Sequence, residues 1–170
     1  MVDRFDLSGK RALITGGGRG LGREMAQAFA EHGADVIIAS RKLDVLEQTA
    51  AEIAEATGRT ITAKACHVGE WEQVSRLADE VYAEFGRVDV LVNNAGMSPL
   101  YESLSAVTED LWRKVIDVNL TGPFRLSALV GERMKEAGAG AIINVSSTAS
   151  LRPGEMELPY GTAKAGINSL

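Results

Sequence analysis

Apolar residues fall along this chain in two alternating patterns: short continuous runs, and longer stretches in which they recur every three or four residues. The first run is Arg11-Ala-Leu-Ile-Thr15, which reads as a strand, and a helical pattern follows with Leu21, Met25, Ala28 and Phe29 on its apolar side. The alternation repeats with a strand at 36–39, then a helix at 43–57 carrying Leu46, Ala50 and Ile53 on one side, then a strand at 60–66. Trp71, Val74, Leu77, Val81 and Phe85 form the stripe of the next helix, and a strand at 88–92 closes that unit. Beyond a loop at 97–107 come helical stretches at 108–118 and on to 137, then the apolar strand Ala141-Ile-Ile-Asn-Val145, then a helix beginning near Tyr160.

The strands are continuously apolar, as burial on both faces by crossover helices requires. The pattern predicts an α/β fold, a doubly wound, Rossmann-like parallel sheet with helices on each side. At 170 residues, of which 45% are hydrophobic, the chain suits a single domain over residues 1–170. No linker or repeat interrupts it, and Gly138-Ala-Gly140 reads as a turn from helix to strand.

Charge and composition narrow the function. A formal charge of −5 removes the attraction to phosphate backbones on which nucleic-acid binding rests, so no nucleic-acid partner is expected. The single cysteine, Cys66, has no second thiol to pair with and no cluster at metal-ligand spacing. It reads as a small core residue, and no metal is expected. Asp3, Arg4 and Asp6 stand where an export leader needs apolar residues, and no apolar run has the length of a bilayer span. A soluble, cytoplasmic protein without membrane attachment is the expectation.

The chemistry starts at Thr15-Gly-Gly-Gly-Arg-Gly-Leu-Gly22, where the first strand hands over to a helix. Glycines there let the backbone turn sharply and approach a pyrophosphate, to which the helix N-terminus offers open N–H groups and partial positive charge. The innocent reading of such a cluster is a tight turn; its place between strand and helix favours a dinucleotide. Gly16, Gly18, Arg19, Gly20 and Leu21 are the candidate contacts. No Gly-Lys-Ser/Thr follows, which excludes a triphosphatase loop.

Gly16, Gly20 and Gly22 at T-G-x-x-x-G-x-G spacing resemble the signature of the short-chain dehydrogenase/reductase family. Further motifs agree in order: Asn93-Asn-Ala-Gly96 after the fourth strand, Asn119 in Asp117-Val-Asn-Leu-Thr-Gly122, Ser147 ending Asn144-Val-Ser-Ser147, and Tyr160 with Lys164 as Y-x-x-x-K. Each is short, but the ordered set is specific, and it spans from about Lys10 to Leu170. The resemblance implies an NAD(P)-dependent oxidoreductase interconverting an alcohol and a carbonyl, with homodimeric or homotetrameric assembly. It also implies cofactor contacts at Asn94, Ala95, Gly96 and the Val68 backbone, although His67 stands where the family usually has an aspartate toward the adenine. Family members continue well past the position of Leu170, through strands and loops that complete the sheet and cover the substrate; relative to them the C-terminal part of the fold is missing.

The residues support that chemistry directly. Tyr160 and Lys164, at i and i+4, share a helix face, so an ammonium can stand beside a phenol. A free tyrosine titrates near about 10; a neighbouring cation favours phenolate and brings the group toward the range of a general acid/base. Ser147 is placed to hydrogen-bond the same substrate oxygen and stabilise developing charge. A nucleophilic serine is the competing idea, but the Gly-x-Ser-x-Gly elbow is absent and His32 and His67 sit in no partner motif. In the family the residue matching Asn119 holds a water that links the active-site lysine to solvent, and that lysine also bonds the nicotinamide ribose. For Asn119 the plainer reading is a helix-breaking polar group satisfied by nearby backbone, and the two are compatible.

Cofactor choice turns on what ends the second strand, where an acidic residue would accept from a ribose 2′-hydroxyl and repel a 2′-phosphate. Here Ser40 and Arg41 stand there, and Arg19 adds a second cation in the glycine loop. NADP is therefore expected, with NAD the alternative if Arg41 is only a solvated residue starting a helix. Thr15 and Asn93 read equally well as ties between strands. Leu100, Tyr101 and residues 151–158 are candidates for the substrate wall; Glu155 and Glu157 read as a solvated loop.

Overall fold

A computed structural model describes residues 4–170; Asp3, one of the charges set against an export leader, lies outside them. Five parallel strands form one sheet in the order β3-β2-β1-β4-β5, with β1 at Arg11–Thr15, β2 at Asp35–Ser40, β3 at Ile61–Ala65, β4 at Val90–Asn93 and β5 at Ala141–Asn144. Six α-helices connect and flank them: α1 (Gly20–Glu31), α2 (Leu43–Thr57), α3 (Trp71–Phe85), α4 (Glu109–Ile116), α5 (Gly122–Glu136) and α6 (Leu158–Ile167). The chain order reverses between β3 and β4, so the carboxyl ends of β1 and β4 flank the crevice in which such sheets receive ligands.

Continuous apolarity of the inner strands follows from this layering. Leu13, Ile37 and Leu91 face a core completed by Val74, Leu77 and Val81 of α3 and by Leu126, Val130 and Met134 of α5. Their neighbours Ala12, Ile14, Val36, Ile38 and Val92 face the opposite core, filled by α1 and α2. Each inner strand therefore needs an apolar residue at every step.

Three expectations are corrected. The buried stripe of α1 is Gly22, Ala26 and Ala30, whereas Leu21 and Ala28 are exposed. Small residues let α1 lie close over β1 and β2, and the larger side chains turn to its flanks. The strand β5 is apolar without being buried: Ile142 and Ile143 are exposed, because β5 is the outermost strand of the sheet among the described residues. The stripe of α3 also starts later than its sequence suggests, since Trp71 is exposed and packs against Phe124 with Arg125 stacked on it.

The two helical stretches after residue 108 are one run. A π turn at Asp117–Thr121 joins α4 to α5, and Gly122 and Pro123 occupy the first positions of α5. Gly122 is required there, since a Cβ would collide with the Val68 carbonyl. Among the described residues no helix is long and apolar enough to cross a membrane.

Candidate active site

The glycine loop owes its shape to close backbone approaches. Gly16 has φ +71°, a left-handed conformation that favours glycine, and a Cβ there would meet Asn94 Nδ2 at 2.8 Å. A Cβ on Gly22 would overlap the Gly16 carbonyl, and one on Gly17 would press on Ile38. Gly20, at φ +54°, faces open space. The first turn of α1 has no side-chain cap, because the N-cap residue is Arg19, whose guanidinium has donors and no acceptor, and the leading N–H groups of the helix stay open. An uncapped helix end beside a loop that is glycine at every position from 16 to 20 except Arg19 fits a dinucleotide pyrophosphate. Thr49 of α2, almost fully buried, shares its one hydroxyl proton between the Gly18 carbonyl at 3.1 Å and the Val45 carbonyl at 2.9 Å, and so supports the loop from below.

The turn after β4 is tied to the loop by Thr15 and Asn94. Thr15 Oγ1 accepts the N–H groups of Asn94 and Ala95, each at 3.1 Å, and the Asn94 side chain donates to the Thr15 carbonyl at 2.9 Å. Asn93 donates to Ser127 Oγ and to Asn144 Oδ1, both at 2.8 Å, stitching β4 to α5 and β5. Both residues thus tie strands, as their sequence positions suggested.

Asn119 sits in the π turn and is completely buried. Its carboxamide donates to the carbonyls of Val115 and Met97 and accepts the Met97 N–H at 3.1 Å. All three bonds go to backbone, which anchors the Gly96–Met97 turn on α4. A Cβ on Gly96 would meet Asn119 Oδ1 at 2.8 Å and Lys164 Nζ at 3.8 Å, so turn, amide and ammonium share one small space.

Lys164 is 3% exposed, and its ammonium donates to the Val145 carbonyl at 2.6 Å. Burial pulls its pKa below the ordinary lysine value, because the charged form loses water. Nζ lies 5.7 Å from the centre of the Tyr160 ring, so the two side chains are neighbours as their spacing implies. Tyr160 is half-buried and lines a crevice with Pro99, Tyr101, Val115 and Met156. Ser147 follows β5, with its hydroxyl accepting the Ala149 N–H at 3.2 Å and capping the short turn Thr148–Ser150.

Of the remaining predicted residues, Leu21 and Arg41 are exposed, Gly18 is buried against Leu46, and Val68 is buried beneath Gly122. Neither Arg19 nor Arg41 forms an ion pair among the described residues, so both guanidinium groups are available to an anion. His67 is held by its backbone N–H on Gln73 and by Nδ1 accepting from Gly69. Glu155 and Glu157 are exposed, and the Glu157 carboxylate accepts the Gly154 N–H. Sequence reasoning missed Thr49, whose one signal is a hydroxyl on the buried stripe of α2. It also missed the bonds of the Tyr101 hydroxyl to Glu155 and Leu158, for which no local signal exists.

Comparison with known proteins agrees with this geometry. The family model described as short chain dehydrogenase matches residues 10–170. The chain is 34% identical over 170 residues to dehydrogenase/reductase SDR family member 4 of Homo sapiens, covering all of this chain and 61% of that protein. It is 37% identical over 163 residues to D-threitol dehydrogenase of Mycolicibacterium smegmatis, covering 96% of this chain and 62% of the relative. The crystal structure of L-sorbose reductase from Gluconobacter frateurii, complexed with NADPH and L-sorbose, superposes with a TM-score of 0.92 at 30% identity, over 97% of this chain and 62% of the other. The chain therefore spans a little under two thirds of the length of these proteins.

Proposed function

Because this chain belongs to the short-chain dehydrogenase family, we propose that it is the cofactor-binding and catalytic portion of an NADP-dependent oxidoreductase that interconverts a secondary alcohol and a ketone. The observation that carries the reading is the meeting of Lys164 and Asn119 at the Gly96 turn, with Tyr160 beside Lys164, and the tie of that turn to the glycine loop through Thr15 and Asn94.

Each residue then has a task. Backbone at Gly16, Gly18, Gly20 and Leu21, with the open end of α1, holds the pyrophosphate. Arg19 and Arg41, exposed and unpaired, receive the 2′-phosphate of NADP, and without an acidic residue at 40–41 nothing there repels it. The backbone at Val68 and at Asn94, Ala95 and Gly96 lines the remainder of the cofactor path. The bound nicotinamide supplies or accepts the hydride. Tyr160 gives its phenol proton to the carbonyl oxygen during reduction and takes it back during oxidation. Lys164 holds positive charge beside that phenol and bonds the ribose; Asn119 keeps a water between the lysine and solvent. Ser147 orients the substrate oxygen and stabilises charge developing on it. A homodimer or homotetramer in the cytoplasm completes the reading, supported by the exposure of Trp112 on α4 and Phe124 on α5 and by the single free thiol.

The test is a panel of secondary alcohols and ketones with both nicotinamide cofactors, run beside Tyr160→Phe. We expect NADPH consumption with at least one ketone, a loss of about 10²-fold or more in kcat/KM for the variant, and unchanged cofactor binding. Arg41→Asp should move preference toward NAD. Tight NADP binding without turnover on any substrate would instead favour a non-catalytic dinucleotide-binding or interaction module.

A further inference from the structure

The helix carrying Tyr160 and Lys164 begins in an unusual way. An N-terminal turn ordinarily has its leading N–H groups accepted by a capping side chain one to three residues upstream. Here the N-cap residue Glu157 makes no such bond, since its carboxylate accepts the Gly154 N–H instead. Pro159, the second residue of α6, has no N–H at all. The leading donor, the Leu158 N–H, is accepted by the hydroxyl of Tyr101 at 3.0 Å, from 57 residues away in sequence. The same hydroxyl donates to the Glu155 carbonyl at 3.2 Å. Tyr101 is 7% exposed, so both bonds are shielded from water, and its ring lies in the crevice that Tyr160 lines.

We propose that Tyr101 is a positioning residue for the acid/base Tyr160: its hydroxyl supplies the missing N-terminal cap of α6 and clamps the 153–157 loop to it. This inference rests on the oxidoreductase reading for its kinetic consequence only. One phenol fixes two points of backbone, Glu155 and Leu158, and Tyr160 lies two residues beyond the second. Without the clamp, the first turn of α6 loses its acceptor and frays, and the Tyr160 ring moves relative to Lys164, whose own bond to Val145 lies a turn further on and is untouched.

The test is Tyr101→Phe in the intact protein, which keeps the ring and removes only the oxygen. The chain has three tyrosines, so ¹³Cζ-labelled tyrosine gives a resolvable Tyr160 resonance by NMR. We expect the Tyr160 resonance to move relative to the parent, kcat to fall about tenfold, and ketone KM and NADP affinity to stay within about twofold. A purely structural role would lower Tm and leave the resonance and the split between kcat and KM unmoved. A folded variant with an unchanged Tyr160 resonance and kcat overturns the proposal. Should the variant fail to fold, amide exchange in the parent decides: slow exchange at Leu158 supports the cap, and exchange at the rate of an open amide overturns it. If the parent binds no dinucleotide, the oxidoreductase reading falls, and the Tyr160 resonance still decides the role of Tyr101.

Discussion

Gly22 and Gly16 occupy a point where the loop and the first turn of α1 run closer together than any side chain allows. Neither backbone can retreat, because Gly16 donates to Ala39 of β2 and its neighbour Thr15 is bonded to Asn94. Gly22→Ala should therefore cost about 3 kcal/mol, at the upper end of overpacking penalties, and abolish dinucleotide binding; urea unfolding and a binding titration check both. Lys164 poses the opposite problem, a charge in a space that disfavours it. Its folded-state pKa is lowered by burial, so between that value and the unfolded value near about 10.4 the unfolded chain binds the extra proton. Stability attributable to this group is thus present above about pH 10.4 and lost as pH falls through the lowered value. Lys164→Met should show no fall in Tm at about pH 7, and any advantage over the parent should shrink as pH rises toward 10.4. A lower Tm for the variant at neutral pH would show that the bond to Val145 outweighs desolvation.

Among the secondary-structure elements, the contrast between β1 and β5 gives the sharpest energetic expectation. Leu13 on β1 is enclosed by helices and strands, whereas Ile143 on β5 is 45% exposed. Leu13→Ala should cost about 2–5 kcal/mol and Ile143→Thr less than about 1 kcal/mol, read from urea midpoints of the two variants. From sequence the two strands look alike, since both are apolar runs bounded by turns. What distinguishes them among the described residues is which strand has a neighbour on both sides, a property of topology. The helix α2 was fully legible, from Leu43 to Thr57, because Leu46, Ala50 and Ile53 mark its stripe and Gly58 stops it in a left-handed cap. The helix α1 was legible in position and misread in facing, because burial there is set by close approach to the sheet, which selects Gly22, Ala26 and Ala30 over larger neighbours. At the site, Tyr160 with Lys164 and the glycine loop could be read from spacing along one helix and one turn. The bonds from Tyr101 to α6 and from Thr49 to the glycine loop join residues far apart in the chain, and no periodicity announces them.

Taken as a whole, the molecule carries its own reporter of global opening. Cys66 lies in the core at the end of β3, and burial pushes its thiol up to about 11. The reactive thiolate is therefore suppressed in the folded state, and iodoacetamide at about pH 8 should label Cys66 only as fast as the chain unfolds. With the folded pKa above the unfolded one near about 8.5, the stability from this group is complete below that pH and lost as pH climbs through about 11. Cys66→Ala should flatten that alkaline decline; an unchanged slope would assign it to other groups.

The strand order also fixes a timetable for synthesis. β1 is bordered on one side by β2, which follows within a few turns of chain, and on the other by β4, just before which the Asp89 side chain accepts the Arg11 N–H across a separation of 78 residues. As the polypeptide leaves the ribosome, β1 therefore waits longer for its second partner than β2 or β4 waits for theirs, with one row of backbone amides uncovered. Interception by a chaperone, or pairing with a neighbouring nascent chain, should concentrate on that margin of β1 until the Val90 segment arrives.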